Sequence, residues 1–193
     1  MKPVLTVIGL LLLELVLSVA LSVVIARFSI DFNISFFLSS LIVGILVLLF
    51  FYRTAIFKQT FISKFNFKAI LPYILLTLVT AVLTRIILGK PWAYHLPDNL
   101  SGFLFTFGLL VLAPFFEELC YRGLAFEYLL KKNISKVLIV IVTTTIFTLG
   151  HFPFSNATIG VLLLSLITSV VYLRERNIWY CIGIHFTYNL LML

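Results

Sequence analysis

The tightest limit on what this chain can fold into is its succession of apolar runs, each about the length of a bilayer crossing, joined by short basic loops. No water reaches backbone N–H and C=O groups in the hydrocarbon core, so only helices and closed barrels cross it. The runs extend over about Val4–Ala26, Ile34–Tyr52, Ile70–Gly89, Leu100–Leu130, Val137–Phe152, Thr158–Leu173 and Trp179–Leu193. They predict an all-α, polytopic bundle of about seven spans. Composition agrees, since 62% hydrophobic and 11% charged residues, with a mean hydropathy of +1.19, lie far from the about 45–50% and 25% of soluble domains. The first run exceeds the 7–15 residues of a signal-peptide core and is read as a first span. The fourth would be roughly 45 Å long as a straight helix, against a core of ~30 Å. Pro114, which has no N–H to donate, is the expected site of a kink.

The net charge of +7 does not indicate nucleic acid, because the basic residues sit in loops between apolar runs rather than along one stripe. With the N-terminus in the cytoplasm, Lys2, Arg53, Lys58, Lys64, Lys68, Lys131, Lys132, Lys136, Arg174 and Arg176 fall inside, and only Arg27 and Lys90 outside. That asymmetry predicts a multi-pass cell-membrane protein with a cytoplasmic N-terminus. Arg53 to Lys68 interleaves basic residues with Phe57, Phe61, Phe65 and Phe67 and is expected to lie on the anionic leaflet. Residues 1–99 carry no recognisable signature, whereas residues 100–193 carry every candidate site residue, within one integrated membrane domain. Cys120 and Cys181 both lie in apolar segments and are expected to be free packing residues.

Charges inside such runs are costly and normally face an interior with a function. Glu117, Glu118 and Arg122 lie within six residues of the fourth run. On a helix, Glu118 and Arg122 are about 40° apart and suited to an ion pair, while Glu117 is turned about 100° from Glu118. The spacing predicts that Arg122 holds Glu118 and that Glu117 is left unpaired. Two further runs carry His151, and His185 with Asn189 one turn on. Counted from the basic loops, Glu117 and His151 each lie roughly 20 Å along their helices, and Asn189 near 18 Å, so the groups are expected to meet at one level.

A carboxylate beside an imidazole can hold and deprotonate water, and a second histidine with a carboxamide offers two donors to an oxyanion. Together these suffice for amide hydrolysis. Glu117, His151 and His185 equally form the His₂Glu set of many zinc sites, so a divalent metal such as zinc stays an alternative.

Glu117-Glu118-x-x-x-Arg122, Phe147-x-x-x-His151 and His185-x-x-x-Asn189, in this order, resemble the three motifs of the CAAX protease and bacteriocin-processing family (CPBP or Abi) of intramembrane proteases. Gly123 and the approach Ile182-Gly183-Ile184 are also similar, and the resemblance covers about Leu100 to Leu193. It implies a helical endopeptidase, its founding members removing the last three residues of prenylated CAAX proteins. By that resemblance Glu117 and His151 would activate water, His185 and Asn189 would form the oxyanion hole, and Glu118 with Arg122 would support them. The family is conventionally called metalloprotease, yet it resembles metal-free glutamate enzymes, which leaves the cofactor open. Its small members are associated with bacteriocin maturation or self-immunity. The expected partners are therefore a membrane-associated peptide or protein substrate and the bilayer, reached through a hydrophilic cavity opening toward the cytoplasmic half. A non-catalytic immunity or regulatory membrane protein is the alternative.

The remaining polar residues receive structural readings. Glu14 and Arg85 are expected to pair between helices, His95 to be interfacial, and Glu127 to face water or headgroups. Tyr121 and Tyr188 are expected to pack in the core, and Phe147 to pack beside His151.

Overall fold

The computed structural model describes residues 2–28, 31–52, 65–89, 97–151 and 157–193. Among the described residues, seven helical stretches follow the predicted runs closely: α1 Lys2–Ala26, α2 Phe32–Tyr52, α3 Phe67–Leu88, α4 Leu100–Lys131, α5 Lys136–Leu149, α6 Ala157–Glu175 and α7 Ile178–Met192. The fold is all-helical and multi-pass. Five stretches (α1, α2, α3, α4 and α6) are long and apolar enough to cross a bilayer, whereas α5, with 14 residues, and α7, with 15, fall short of a full crossing. The loop predicted to lie on the leaflet falls mostly outside the described residues, as do His95 and Lys90.

Side-chain caps place several helix ends. Asn66, Asn99, Ser135 and Asn177 each accept a hydrogen bond from a first-turn N–H of the helix they precede. Gly89 ends α3 with φ +62°, a left-handed conformation that closes the last carbonyls without a Cβ penalty. Asp31, ahead of α2, accepts from the Ser101 hydroxyl at 2.6 Å and the Asn33 N–H at 2.8 Å, bonds that hold its carboxyl below the usual carboxylate range.

The interior is sorted by size and polarity rather than by hydrophobicity, as expected where lipid is as apolar as leucine. In α1 only 6% of the spanning window is buried, against 39% in α6, so α6 is the central helix and α1 a flanking one. Thr143, Thr168 and Thr84 are buried and return their hydroxyls to the carbonyl four residues back, at 2.8–3.0 Å, so they pack without an orphaned donor. Where α6 meets α3 and α7, Gly160 sits beneath Tyr188 and Thr84; a Cβ there would lie 2.0 Å from the Tyr188 hydroxyl and 2.7 Å from Thr84 Cγ2. Tyr188 is thus a core residue, as predicted, and so is Tyr121, at 4% exposure.

Glu127 is a correction. It does not face water or headgroups but is 5% exposed, accepting from the Tyr172 hydroxyl at 2.7 Å and pairing with Arg176. The reason lies in the α6–α7 turn, where Arg176 takes a positive φ of 51° and brings its guanidinium over Tyr172 and onto the carboxylate.

Gly160→Ala is expected to destabilise the protein by about 1–3 kcal/mol through overpacking. Thermal unfolding in detergent should show a lowered midpoint, with part of the loss recovered when Tyr188→Phe removes the nearer obstructing atom.

Candidate active site

The fourth helix is not a plain α-helix. It runs α-helical over Leu100–Phe107, π-helical over Gly108–Leu112, α-helical over Ala113–Glu118, π-helical over Leu119–Phe126 and α-helical again over Glu127–Lys131. Pro114 has no N–H to give and its ring crowds the preceding turn. A wider turn before it accommodates both effects, and Ala113 N–H accordingly reaches back to Gly108 O. The predicted kink is therefore realised as π turns, which are frequent at functional sites. The two glutamates close the short α segment between them.

Those adjacent carboxylates are sent to opposite surroundings. Glu118 and Arg122 are both 0% exposed and pair at 3.2 Å, as their spacing predicted. Arg122 Nη2 also donates to Ser165 O at 2.8 Å and Ser165 Oγ at 2.7 Å. The same Glu118 oxygen lies 3.0 Å from His185 Nδ1. With Arg122 beside it the carboxylate is the acceptor, so Nδ1 carries the proton and Nε2 faces the other way. There it lies 3.8 Å from Glu117 Oε2.

Glu117 keeps 29% of its side-chain surface open, and its Oε2 has no hydrogen-bonding partner among the described residues. It lines a cavity of about 140 Å³ together with His151, Glu14, Ser18, Ser40 and Tyr121. That volume holds several waters. Gly44 makes room on the far wall, for the Phe116 ring lies 2.2 Å from where a Cβ would stand. His151, just past the end of α5, bonds through Nδ1 to Phe147 O at 2.8 Å. A carbonyl only accepts, so this ring too has its proton on Nδ1 and, when neutral, a lone pair on Nε2.

Phe147 ties the parts together. It is 1% exposed, with ring centroids 4.8 Å from His151, 5.8 Å from His185 and 5.1 Å from Tyr121, and Arg122 Cζ 5.1 Å from its face. It packs beside His151 as predicted, and in addition separates the cavity from the dry ion pair.

Of the predicted site residues, the structure thus brings Glu117 and His151 to one cavity and His185 to within 3.8 Å of Glu117. Asn189 stands apart from that lining; its Nδ2 donates to Leu109 O at 2.9 Å, an acceptor in the first π turn. Glu117, His151 and His185 do not form a three-ligand group as placed, since among the described residues no three His, Cys, Asp or Glu side chains are gathered around a common point. The zinc set expected as an alternative does not fit this arrangement, and the chemistry below uses the side chains alone. Glu14 and Arg85 take separate places rather than pairing: Arg85 donates to Leu191 O, and Glu14 belongs to the cavity. Sequence reasoning missed Glu14 as a site residue and Ser165 as the anchor of Arg122. Glu14, Ser18 and Ser22, four apart on an otherwise apolar helix, were the available signal for the first. Cys120 and Cys181 are buried and free.

Fold and site together define a polytopic helical membrane protein in which Glu117 and His151 line an internal cavity and His185 lies behind Glu117. Residues 98–191 match the family described as type II CAAX prenyl endopeptidase Rce1-like, and this part of the chain belongs to that CPBP family. Membership implies an intramembrane protease of the CAAX type. Comparison with curated proteins and with solved structures gives no match.

Arg122→Leu should cost about 3–5 kcal/mol by leaving Glu118 buried without its counter-charge. Unfolding in detergent is the check, and adding Glu118→Gln to the Arg122→Leu protein should restore part of the loss.

Proposed function

We propose that the protein is an intramembrane endopeptidase that hydrolyses a peptide bond of a membrane-associated peptide or prenylated CAAX-type protein, using water activated by Glu117. The observation that carries this reading is the unequal treatment of two adjacent carboxylates. Glu118 is consumed by Arg122 and His185, while Glu117 is kept open to a cavity that also receives His151. A partner protein that only bound and blocked another membrane component would have no use for that second, unbonded carboxylate.

In the proposed reaction Glu117 takes a proton from a water in the cavity, the resulting hydroxide adds to the scissile carbonyl, and Glu117 returns the proton to the departing amine. The Nε2 lone pair of His151 holds the same water. His185 has Nε2 turned toward Glu117, 3.8 Å from its Oε2, because Nδ1 is given to Glu118. Donating from both nitrogens to Glu118 and to a developing oxyanion requires the imidazolium form of the ring. Asn189, with one amide hydrogen given to Leu109 O, keeps a second for the same oxyanion. The distribution of basic residues supports a cytoplasmic N-terminus. Bacteriocin processing and self-immunity are the roles consistent with a small member of the family.

Glu117→Gln preserves size and deletes the base. Purified in nanodiscs with an unchanged unfolding midpoint, it should cleave a farnesylated CAAX peptide at least about 10²-fold more slowly than the parent, the usual yield of a positioned general base. Undiminished cleavage by that variant would sink the mechanism.

A further inference from the structure

The family-matched region supplies only part of the cavity wall; α1 and α2, which lie outside residues 98–191, supply the rest. From α1 comes a second carboxylate, Glu14, in the middle of a span. Its one hydrogen bond among the described residues is the long contact from Ser18 Oγ, 3.3 Å, which leaves most of its acceptor capacity unused. Ser18 and Ser40 extend the polar lining around it.

The charges around this cavity do not balance. Among the described residues its lining includes Glu14, Glu117 and His151 and no lysine or arginine. Arg122, the closest candidate cation by sequence, is turned away onto Glu118 and Ser165, and Arg85 reaches the backbone of α7. A carboxylate held in a membrane interior is costly without a counter-charge, and Glu117 is assigned to the catalytic water. Glu14 has none within the lining. The about 140 Å³ of open volume beside it admits a short alkyl chain with an ammonium head.

We propose that Glu14 is a specificity-determining residue that receives an alkylammonium group in the catalytic cavity. This rests on the proteolytic reading for its biological meaning, because peptide hydrolysis offers two such groups: a lysine side chain beside the scissile bond, and the amine that cleavage liberates. The shared chemistry is the ammonium, and both would approach the carboxylate from the side that holds Glu117.

The first arm of the test does not need proteolysis. Full-length protein in nanodiscs is heated with n-butylammonium chloride, with sodium chloride at equal ionic strength, or with n-butanol. Butylammonium should raise the unfolding midpoint of the parent and butanol should not, and Glu14→Gln should abolish the difference while keeping a folded protein. The second arm compares two farnesylated CAAX peptides that differ only in lysine or norleucine after the prenylated cysteine. If the side chain is the ligand, Glu14→Gln should lower kcat/KM about tenfold on the lysine peptide alone, the worth of one charged hydrogen bond. An equal loss on both peptides assigns Glu14 to the liberated amine. A Glu14-dependent butylammonium shift in a protein that cleaves neither peptide would keep this assignment and overturn the proteolytic reading. A butylammonium shift that persists undiminished in Glu14→Gln overturns the assignment itself.

Discussion

The rest of the site depends on one ion pair in a place where ions are expensive. Glu118 and Arg122 are fully buried within the helical bundle, 3.2 Å apart, and taking two such charges out of water costs several kcal/mol each unless geometry and extra hydrogen bonds compensate. Here the compensation is partial, since Glu118 Oε2 and Arg122 Nε have no hydrogen-bonding partner among the described residues. Ser165 gives Arg122 both a carbonyl and a hydroxyl, and His185 adds a donor to Glu118. The pair therefore acts less as a source of stability than as a fixed point. It locks α4 to α6 through Ser165 and to α7 through His185, and in doing so sets which nitrogen of His185 looks toward Glu117.

That arrangement turns a one-residue step along the chain into a division of roles. Glu117 and Glu118 differ by about 100° around a helix, which is enough to put one in a dry packing layer and the other at a cavity wall. Phe147 keeps the two apart, stacking on His151 while the Arg122 guanidinium lies over its ring. The π turns on either side of Ala113–Glu118 fit the proline and set where this short segment faces. Cavity, base and pair are thus consequences of one irregular helix. The flanking helices α1 and α2 complete the cavity while burying little of their own surface against the bundle.

Much of this was legible in the sequence, and for physical reasons. Helix count and limits followed from the bilayer's demand for about twenty apolar residues per crossing, and the Glu118–Arg122 pair from helical spacing. His151 and Glu117 reached the same cavity as depth counting implied. What escaped was whatever depended on the third dimension between helices. Glu14 read as half of a pair with Arg85 because both were lone intramembrane charges, yet no sequence rule tells which face of α1 meets α4. Glu127 read as solvated because it sits near a helix end, whereas a positive-φ turn at Arg176 carries a cation onto it. The carbonyl of Leu109 that receives Asn189 lies in a π-helical turn, which the sequence pattern does not announce.

The site depends on His185 being held by Glu118 through Nδ1, so that Nε2 is the atom turned toward Glu117. Nitrogen-15 spectra of histidine-labelled protein in bilayers measure this directly. The account predicts a His185 signal protonated at Nδ1 in a strong hydrogen bond, retained in Glu117→Gln and lost in Glu118→Gln. A His185 that shows both tautomers freely exchanging, unaffected by Glu118→Gln, would contradict it.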